Sequence, residues 1–296
     1  VLMDLFIDQF LNGIGRGAVY ASLGLALVLI YRTTGLLNFA QGEMALFSTF
    51  VTWWLTDQGL SIVPAILLSV VFSVIAGALI ERLLIRPVES GHNPLNVVIV
   101  TLGLFLAINA LAQLIFIKPG QEALQMPSPF PEGDFAGIRK ETIGLVLVLA
   151  LECVLLWVLL QRTKVGLALR AVASNPESAR LVGINTGTML MVGWGLAAGL
   201  GAIAGSLVAS QSSGFDTSLM QQILVYSFAG AALGGFDSPI GAVVGGLIVG
   251  VAESLTYQYG PDIGLAGIEL VVPMALILGV LLIKPNGLFG RTIVER

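Results

Sequence analysis

Apolar residues in this chain come in runs of near twenty, separated by short clusters rich in Gly, Pro, Asn and charge. A helix rises about 1.5 Å per residue, so about 20 such residues cross a hydrocarbon layer about 30 Å thick. The pattern predicts crossing helices near 11–30, 37–55, 61–83, 95–117, 142–161, 189–209, 222–236, 240–257 and 266–283. The seventh run is short, and Gly234-Gly235-Phe236-Asp237-Ser238-Pro239 separates it from the eighth. The stretch 234–240 is therefore either a turn between two spans or one broken or re-entrant element. The predicted fold class is an all-α polytopic membrane protein with eight or nine transmembrane helices, and 1–296 reads as a single transmembrane domain.

Small residues recur at four-residue spacing inside the runs: Gly13/Gly17, Gly195/Gly199, Gly201/Gly205, Gly230/Gly234, Gly241/Gly245 and Gly246/Gly250. This spacing lets helix backbones approach closely in lipid, and most of these pairs are expected to be packing faces.

Composition agrees, with 56% hydrophobic and 11% charged residues where a soluble domain carries about 25% charged. The net charge of −4 and the lack of a basic, aromatic-interleaved cluster argue against nucleic-acid binding. Cys153 is the only cysteine, so no intrachain disulfide forms and no thiolate metal site is expected. The first ten residues carry Asp4 and Asp8 and no Lys or Arg, unlike the start of a cleavable signal peptide.

Basic residues orient the chain. If 162–188 is cytoplasmic, counting crossings places Arg32, Arg82, Arg86, Arg162, Lys164, Arg170, Arg180, Lys284, Arg291 and Arg296 inside. Only Arg16, Lys118, Arg139 and Lys140 fall elsewhere, and the outer segments collect Asp4, Asp8, Asp57, Glu122, Glu132, Asp134, Glu141, Asp216 and Asp262. This asymmetry predicts an N-terminus outside and a C-terminus in the cytoplasm. The outer loop 118–141 holds Pro119, Pro127, Pro129 and Pro131, so it is expected to be extended rather than helical.

The loop 162–188 holds a local signal of its own. Asn175-Pro176-Glu177 reads as an N-cap, a proline at the first helical position and an acid in the first turn. Gly183 supplies a common helix terminator. A short capped helix over Asn175, Pro176, Glu177, Ser178, Ala179, Arg180, Leu181, Val182 and Gly183 is predicted, presented from a cytoplasmic loop as a docking knob for a soluble partner.

Chemistry-bearing motifs are scarce. No Lys follows a Gly, so there is no phosphate-binding P-loop, and neither a His cluster nor a Gly-x-Ser-x-Gly elbow is present. No catalytic residue and no metal ligand is assigned. His92 beside Pro94 reads as an ordinary loop residue, because a base needs an orienting partner.

The remaining polar residues lie within the apolar runs. Asn38, Gln41, Ala45, Ser48 and Thr52 recur at steps of three and four along 37–55, one stripe at about 100° per residue. It lines a translocation pathway or forms an interhelical hydrogen-bond seam. Glu43 lies about 200° from Gln41 on that wheel, so it either snorkels at the cytoplasmic end or the segment breaks near Gly42. Glu152 falls mid-span, the costliest depth for a charge, and is expected to be neutral or paired with Asn109 or Gln113. Glu253 and Glu269 lie toward the outer side, where both can reach water.

These residues resemble a known family. Gly35-Leu36-Leu37-Asn38-Phe39-Ala40-Gln41-Gly42-Glu43 is similar to the signature of LivH-type permeases of branched-chain amino acid ABC importers. Arg170-Ala171 through Ala179-Arg180-Leu181-Val182-Gly183-Ile184-Asn185 resembles that family's cytoplasmic loop. Gly234-Gly235-Phe236-Asp237-Ser238-Pro239-Ile240-Gly241-Ala242, with Gly245-Gly246-Leu247-Ile248-Val249-Gly250 and Glu253, resembles its later Gly-rich pair. The family commonly has His where this chain has Gln41, so the resemblance implies no titrating role at that position.

The resemblance implies one of two permease subunits, of one kind or two, with two cytoplasmic ATP-binding subunits docked beneath and an outer solute-binding protein delivering substrate. The knob becomes the coupling helix, with Asn38, Gln41, Glu43, Ser48 and Thr52 as pathway candidates. The chain itself binds no cofactor, ATP being used by the partners, and it sits in a bacterial-type cytoplasmic (inner) membrane. Substrate moves by alternating access, and branched-chain or other apolar amino acids are the expected cargo. Urea or short amides would suit the same polar groups. An ion-coupled carrier using Glu43 or Glu152 is the second alternative, and it would need no ATPase at 170–185. An intramembrane enzyme would need a nucleophile with its base or a metal cluster, and the sequence offers neither.

Overall fold

The computed structural model describes residues 2–89, 94–118, 120, 123–261 and 271–290. The expectations placed on His92, Pro119, Glu122, Asp262, Glu269, Arg291 and Arg296 lie outside the described residues, as does the start of the ninth run.

The helices are α1 (Leu2–Thr34), α2 (Gln41–Asp57), α3 (Ile62–Ile80), α4 (Arg86–Glu89), α5 (Pro94–Phe116), α6 (Lys140–Arg162), α7 (Lys164–Ser174), α8 (Pro176–Leu181), α9 (Thr186–Gln211), α10 (Leu219–Gly234), α11 (Pro239–Tyr259) and α12 (Val271–Ile283). A π-helical turn, Glu81–Ile85, joins α3 to α4 without a break. Among the described residues six helices are long and apolar enough to cross a membrane: α1, α3 with its extension, α5, α6, α9 and α11. The predicted second, seventh and ninth runs are helical but shorter, with 17, 16 and 13 residues. Two strands, β1 (Asp134–Phe135) and β2 (Ile138–Arg139), pair antiparallel within the loop between α5 and α6. Ala136 and Gly137 join them with φ of 52° and 79°, the two-residue geometry that matches strand twist.

The chain divides into two compact units. One comprises Val1–Val28, Phe130–Ala150 and Gln222–Arg296. Here α1 and α11 run antiparallel with backbones nearly touching: a Cβ on Gly13 would lie 2.6 Å from Val251 Cα, one on Gly17 2.7 Å from Leu247 Cα, and one on Gly246 2.6 Å from the Ala21 nitrogen. The other face of α11 meets α10, where a Cβ on Gly230 would lie 2.7 Å from Gly246 Cα. Gly234 likewise abuts Gly241, so α10 and α11 form a hairpin and 234–240 is its turn. Gly235 turns the chain at φ 104°, and the Ser238 hydroxyl accepts from the Gly241 N–H at 3.0 Å, capping α11 ahead of Pro239. Tyr20 and Tyr226 stack at 5.0 Å in a core with Leu233, Val249 and Ile277.

The other unit comprises Leu29–Pro129 and Leu151–Gln221. Its central helix is α9, whose most apolar window is 78% buried against 22% for α3 and 17% for α5. Gly195 and Gly199 of α9 receive Val74 and Val70 of α3, while Gly201 and Gly205 receive Ala45 of α2. All six predicted small-residue pairs are thus packing faces. Phe50 joins Phe116 and Phe215 at ring separations of 5.3 Å, and Leu124 and Phe215 exchange backbone hydrogen bonds at 2.8 Å. Leu67, Val71 and Ile75 of α3 and Leu102, Leu106 and Leu114 of α5 turn outward, as lipid-facing positions do.

Candidate functional site

The loop 162–188 folds as its capping residues dictate. Asn175 is extended, and its side-chain oxygen accepts from the Ser178 N–H at 2.8 Å, satisfying one orphan donor of the first turn. Pro176 opens α8, and Gly183 at φ 86° ends it, with the Ile184 N–H reaching the Ala179 carbonyl at 3.0 Å. Ala179 is buried beneath the helix, whereas Leu181 and Val182 are 89% and 76% exposed. Two adjacent bare aliphatic side chains on a locally braced turn form an apolar tip. The Arg180 Nε donates to the buried Thr186 Oγ1 at 2.9 Å, tying α8 to the first residue of α9.

A further helix, α7, precedes this knob and was not anticipated. The Thr163 hydroxyl caps it, accepting from the Gly166 N–H at 3.0 Å, and Gly166 lets it fold back against Leu159 and Leu160. Gly166, Leu169 and Val172 are its buried side, and their three-residue spacing was the available signal.

The polar stripe of α2 is buried throughout. Helix α2 begins at Gln41 rather than near 37, because the Asn38 side-chain oxygen accepts from the Ala40 N–H at 3.0 Å and turns the chain there. Gln41 Nε2 donates to the Ala197 carbonyl of α9 at 2.9 Å. The Ser48 and Ser73 hydroxyls lie 2.5 Å apart, Ser69 Oγ donates to the Ser48 carbonyl at 2.6 Å, and the Thr52 and Ser206 hydroxyls lie 2.9 Å apart. In this conformation the stripe forms hydrogen bonds to α3 and α9. Beside it a cavity of about 180 Å³ is lined by Met44, Phe47, Phe72, Ile108 and Leu111, with the Ser48–Ser73 pair in its wall.

The structure places each of the acids singled out by the sequence. Glu43 does not snorkel; the segment instead breaks beside Gly42, where α2 starts at Gln41. Glu43 is fully buried in that first turn, where its Oε2 accepts from Asn109 Nδ2 of α5 at 2.9 Å and its Oε1 has no hydrogen-bond partner. Asn109, expected beside Glu152, instead serves Glu43 and donates to the Thr217 carbonyl at 2.9 Å. Glu253 is largely buried and ion-paired to the half-exposed Arg16 at 2.6 Å. That bond also gives the outlying Arg16 its counter-charge, and the guanidinium lies 5.8 Å from the Tyr257 ring centroid. Glu152 is buried on α6.

Two polar groupings escaped notice. Gln9, Asn12, Arg16 and Tyr20 share one face of α1, where Gln9 bonds Gln258 and Ser254 and Arg16 bonds Glu253; their steps of three and four carried the signal. The second is Glu81, buried just past the C-terminal end of α3. Arg86 grips it through Nε at 3.1 Å and Nη2 at 2.7 Å and also donates to the Gly187 carbonyl at 2.6 Å.

Long apolar helices meshed through glycines, buried polar pairs between them and a braced apolar knob on a connecting loop define a polytopic membrane protein. Residues 9–281 match the family described as branched-chain amino acid transport system / permease component, and the chain belongs to that family. It is 28% identical to the high-affinity branched-chain amino acid transport system permease protein LivH of Escherichia coli K12, covering 98% of this chain and 97% of that one. It is 28% identical to BraD of Pseudomonas aeruginosa, covering 98% of both. The probable LivH of Methanocaldococcus jannaschii is 30% identical, covering 98% of this chain and 95% of that one.

Proposed function

We propose that this chain is the membrane-spanning permease subunit of an ABC importer for branched-chain or other apolar amino acids. Cytoplasmic ATP-binding subunits dock on Asn175–Gly183, a second permease subunit completes the membrane part, and an outer solute-binding protein delivers the substrate. ATP is used by the partners, and this chain holds no nucleotide site or cofactor. It lies in a bacterial-type cytoplasmic membrane with its N-terminus outside and its C-terminus inside.

The observation that carries the docking reading is the pair Leu181 and Val182, exposed at the tip of a helix capped at both ends. Apolar side chains standing out from a polar loop gain free energy when a partner covers them. The named relatives are permeases of branched-chain amino acid systems, which supports the substrate class. Asn38, Gln41, Glu43, Ser48 and Thr52 are the pathway residues in this reading: their hydrogen bonds close the present conformation, and alternating access re-partners them. Partners drive that exchange only through unequal affinity for the two conformations.

The test is to solubilise the protein from its native membrane and determine the intact mass of what co-purifies. Two ATPase subunits and a second permease are expected. A chain that purifies alone, and transports in liposomes without ATP, overturns the importer reading in favour of an ion-coupled carrier.

A further inference from the structure

A continuous set of polar bonds links the docking helix to α3, entirely within the unit formed by Leu29–Pro129 and Leu151–Gln221. It starts at Arg180 of α8, whose Nε holds Thr186 Oγ1 at 2.9 Å. Thr186 is the first residue of α9, and the next residue, Gly187, offers its carbonyl to Arg86 Nη2 at 2.6 Å. Arg86 in turn closes a two-point bond on Glu81, whose side chain is 1% exposed.

Two features show that this arrangement is built rather than incidental. In an α-helix residues five apart lie about 140° from each other, on different faces, at about 100° per residue. Here the backbone widens to a π turn over Glu81–Ile85, whose i→i+5 bonding brings the sixth residue back over the first. That register is what lets Arg86 lie on Glu81. Gly187 is the second feature: a Cβ there would lie 2.9 Å from the Arg86 Cζ and Nη1, so an added methyl would push the guanidinium from its place against the α9 backbone.

We infer that Glu81, Arg86 and Gly187 are positioning residues of the transport reaction, forming a clamp that makes α3 follow the docking helix. The inference rests on the docking reading above. A displacement of α8 pulls Thr186 through Arg180. The first turn of α9 moves with it, and the clamp carries the movement into the cytoplasmic end of α3. The fork of Arg86 matters because its two parallel bonds to one carboxylate fix direction as well as distance. A buried carboxylate that loses its cation is left uncompensated, so the clamp is stiff unless both partners move together. Higher up, α3 meets the pathway stripe through the Ser73–Ser48 hydroxyl pair and Ser69. The same helix therefore touches both the clamp and the proposed pathway.

The test compares the whole importer, reconstituted in liposomes with its binding protein, carrying the wild-type chain, Glu81→Gln or Gly187→Ala. Leucine uptake and ATP hydrolysis are measured on the same preparation, and their ratio is the readout. The complex is expected to assemble and hydrolyse ATP within about threefold of wild type, while substrate moved per ATP falls about tenfold or more. A merely structural role would lower both rates together and leave the ratio unchanged, and that result overturns the inference, as does a wild-type ratio. Arg86→Lys decides if either variant fails to assemble: it keeps the charge but loses the fork, and its ratio is expected to fall severalfold. Loss of ATPase binding by Leu181→Ala/Val182→Ala tests the docking reading separately. If that binding is lost and the ratio in the clamp variants is not, only the clamp is wrong.

Discussion

Replacing Leu181 and Val182 together by Ala puts a number on the docking knob. The change removes five carbon atoms from side chains that are 89% and 76% exposed in the free chain. At about 0.8 kcal/mol per buried methylene-sized group, complete burial under a partner would forfeit about 4 kcal/mol. An interface that covers half of that surface still forfeits about 2 kcal/mol, about a thirtyfold weaker docking constant. The fold of the knob is not disturbed, because Asn175, Ala179 and Gly183, which cap and seat it, are untouched. The assay titrates the ATP-binding subunits onto the purified permease in lipid nanodiscs, with the wild-type chain measured beside it. Weakening of thirtyfold or more is expected, with unaltered thermal unfolding of the permease alone. A docking constant within threefold of wild type would refute the assignment of these two side chains to the interface.

Three further outcomes follow from the packing. Asn175→Ala removes the cap of α8 at a cost of about 1 kcal/mol, so docking weakens about fivefold while α7 and α9 stay intact; wild-type docking would mean that the cap is dispensable. Gly17→Ala and Gly103→Ala are the same chemical change with opposite expected signs. The first drives a methyl to 2.7 Å from Leu247 Cα and is expected to cost about 1–3 kcal/mol, whereas Gly103 meets nothing within 4 Å and gains up to about 1 kcal/mol of helix propensity; equal denaturation midpoints in detergent would sink the contrast. Asn109→Leu strands the buried Glu43 Oε2, at about 1–3 kcal/mol for a buried group left unmade, and frees the half-buried Thr217 carbonyl at a smaller cost. Glu43→Gln keeps an acceptor there and is expected to unfold close to wild type, and a larger loss in that variant than in Asn109→Leu would reverse the assignment.

What could be read ahead of the structure was whatever is local in the chain. The apolar runs became helices because lipid leaves a backbone no other way to satisfy its own hydrogen bonds. The glycine pairs became contacts because only small residues at four-residue spacing permit them. The α8 knob was legible from three residues, Asn175, Pro176 and Gly183, since capping depends on immediate neighbours. Partnership across helices was not legible. Asn109 and Glu152 sit at plausible depths to meet, yet the asparagine bonds Glu43 and the Thr217 carbonyl instead. Helical periodicity gives the face a side chain takes, but not the helix opposite it. The π turn at Glu81–Ile85 left no mark in composition at all, and with it the pairing of Glu81 to Arg86 was hidden, because a five-residue separation looks like opposite faces. Arg16 looked like an exception to the charge bias until Glu253, 237 positions away, supplied its counter-charge.

The stripe on α2 was open to two readings, pathway or seam, and the bond strengths show why it can serve as both. The interhelical bonds of this stripe are those of Gln41 to α9, Ser48 with Ser73 and Ser69 of α3, and Thr52 with Ser206 of α9. Side-chain hydrogen bonds between membrane helices average about 0.6 kcal/mol each, because an opened group finds another partner. Parting such a set therefore costs a few kcal/mol at most, and a partner binding one conformation about 10⁴-fold more tightly than the other supplies about 5.5 kcal/mol. Hydroxyls suit this use in a way that charges do not. A Ser or Thr released from its neighbour can turn back to the carbonyl four residues earlier, as Ser48 does with Met44 and Thr52 with Ser48. Glu43 has no such retreat, and its exposure to the path would have to wait for Asn109 to move with it. A seam of hydroxyls and amides is thus stable enough to hold α2 against its neighbours and weak enough for the proposed ATP-binding partners to exchange. Replacing Ser48 and Ser73 by Ala tests the balance: assembly is expected to persist with uptake altered, and unchanged uptake would make this part of the stripe packing alone.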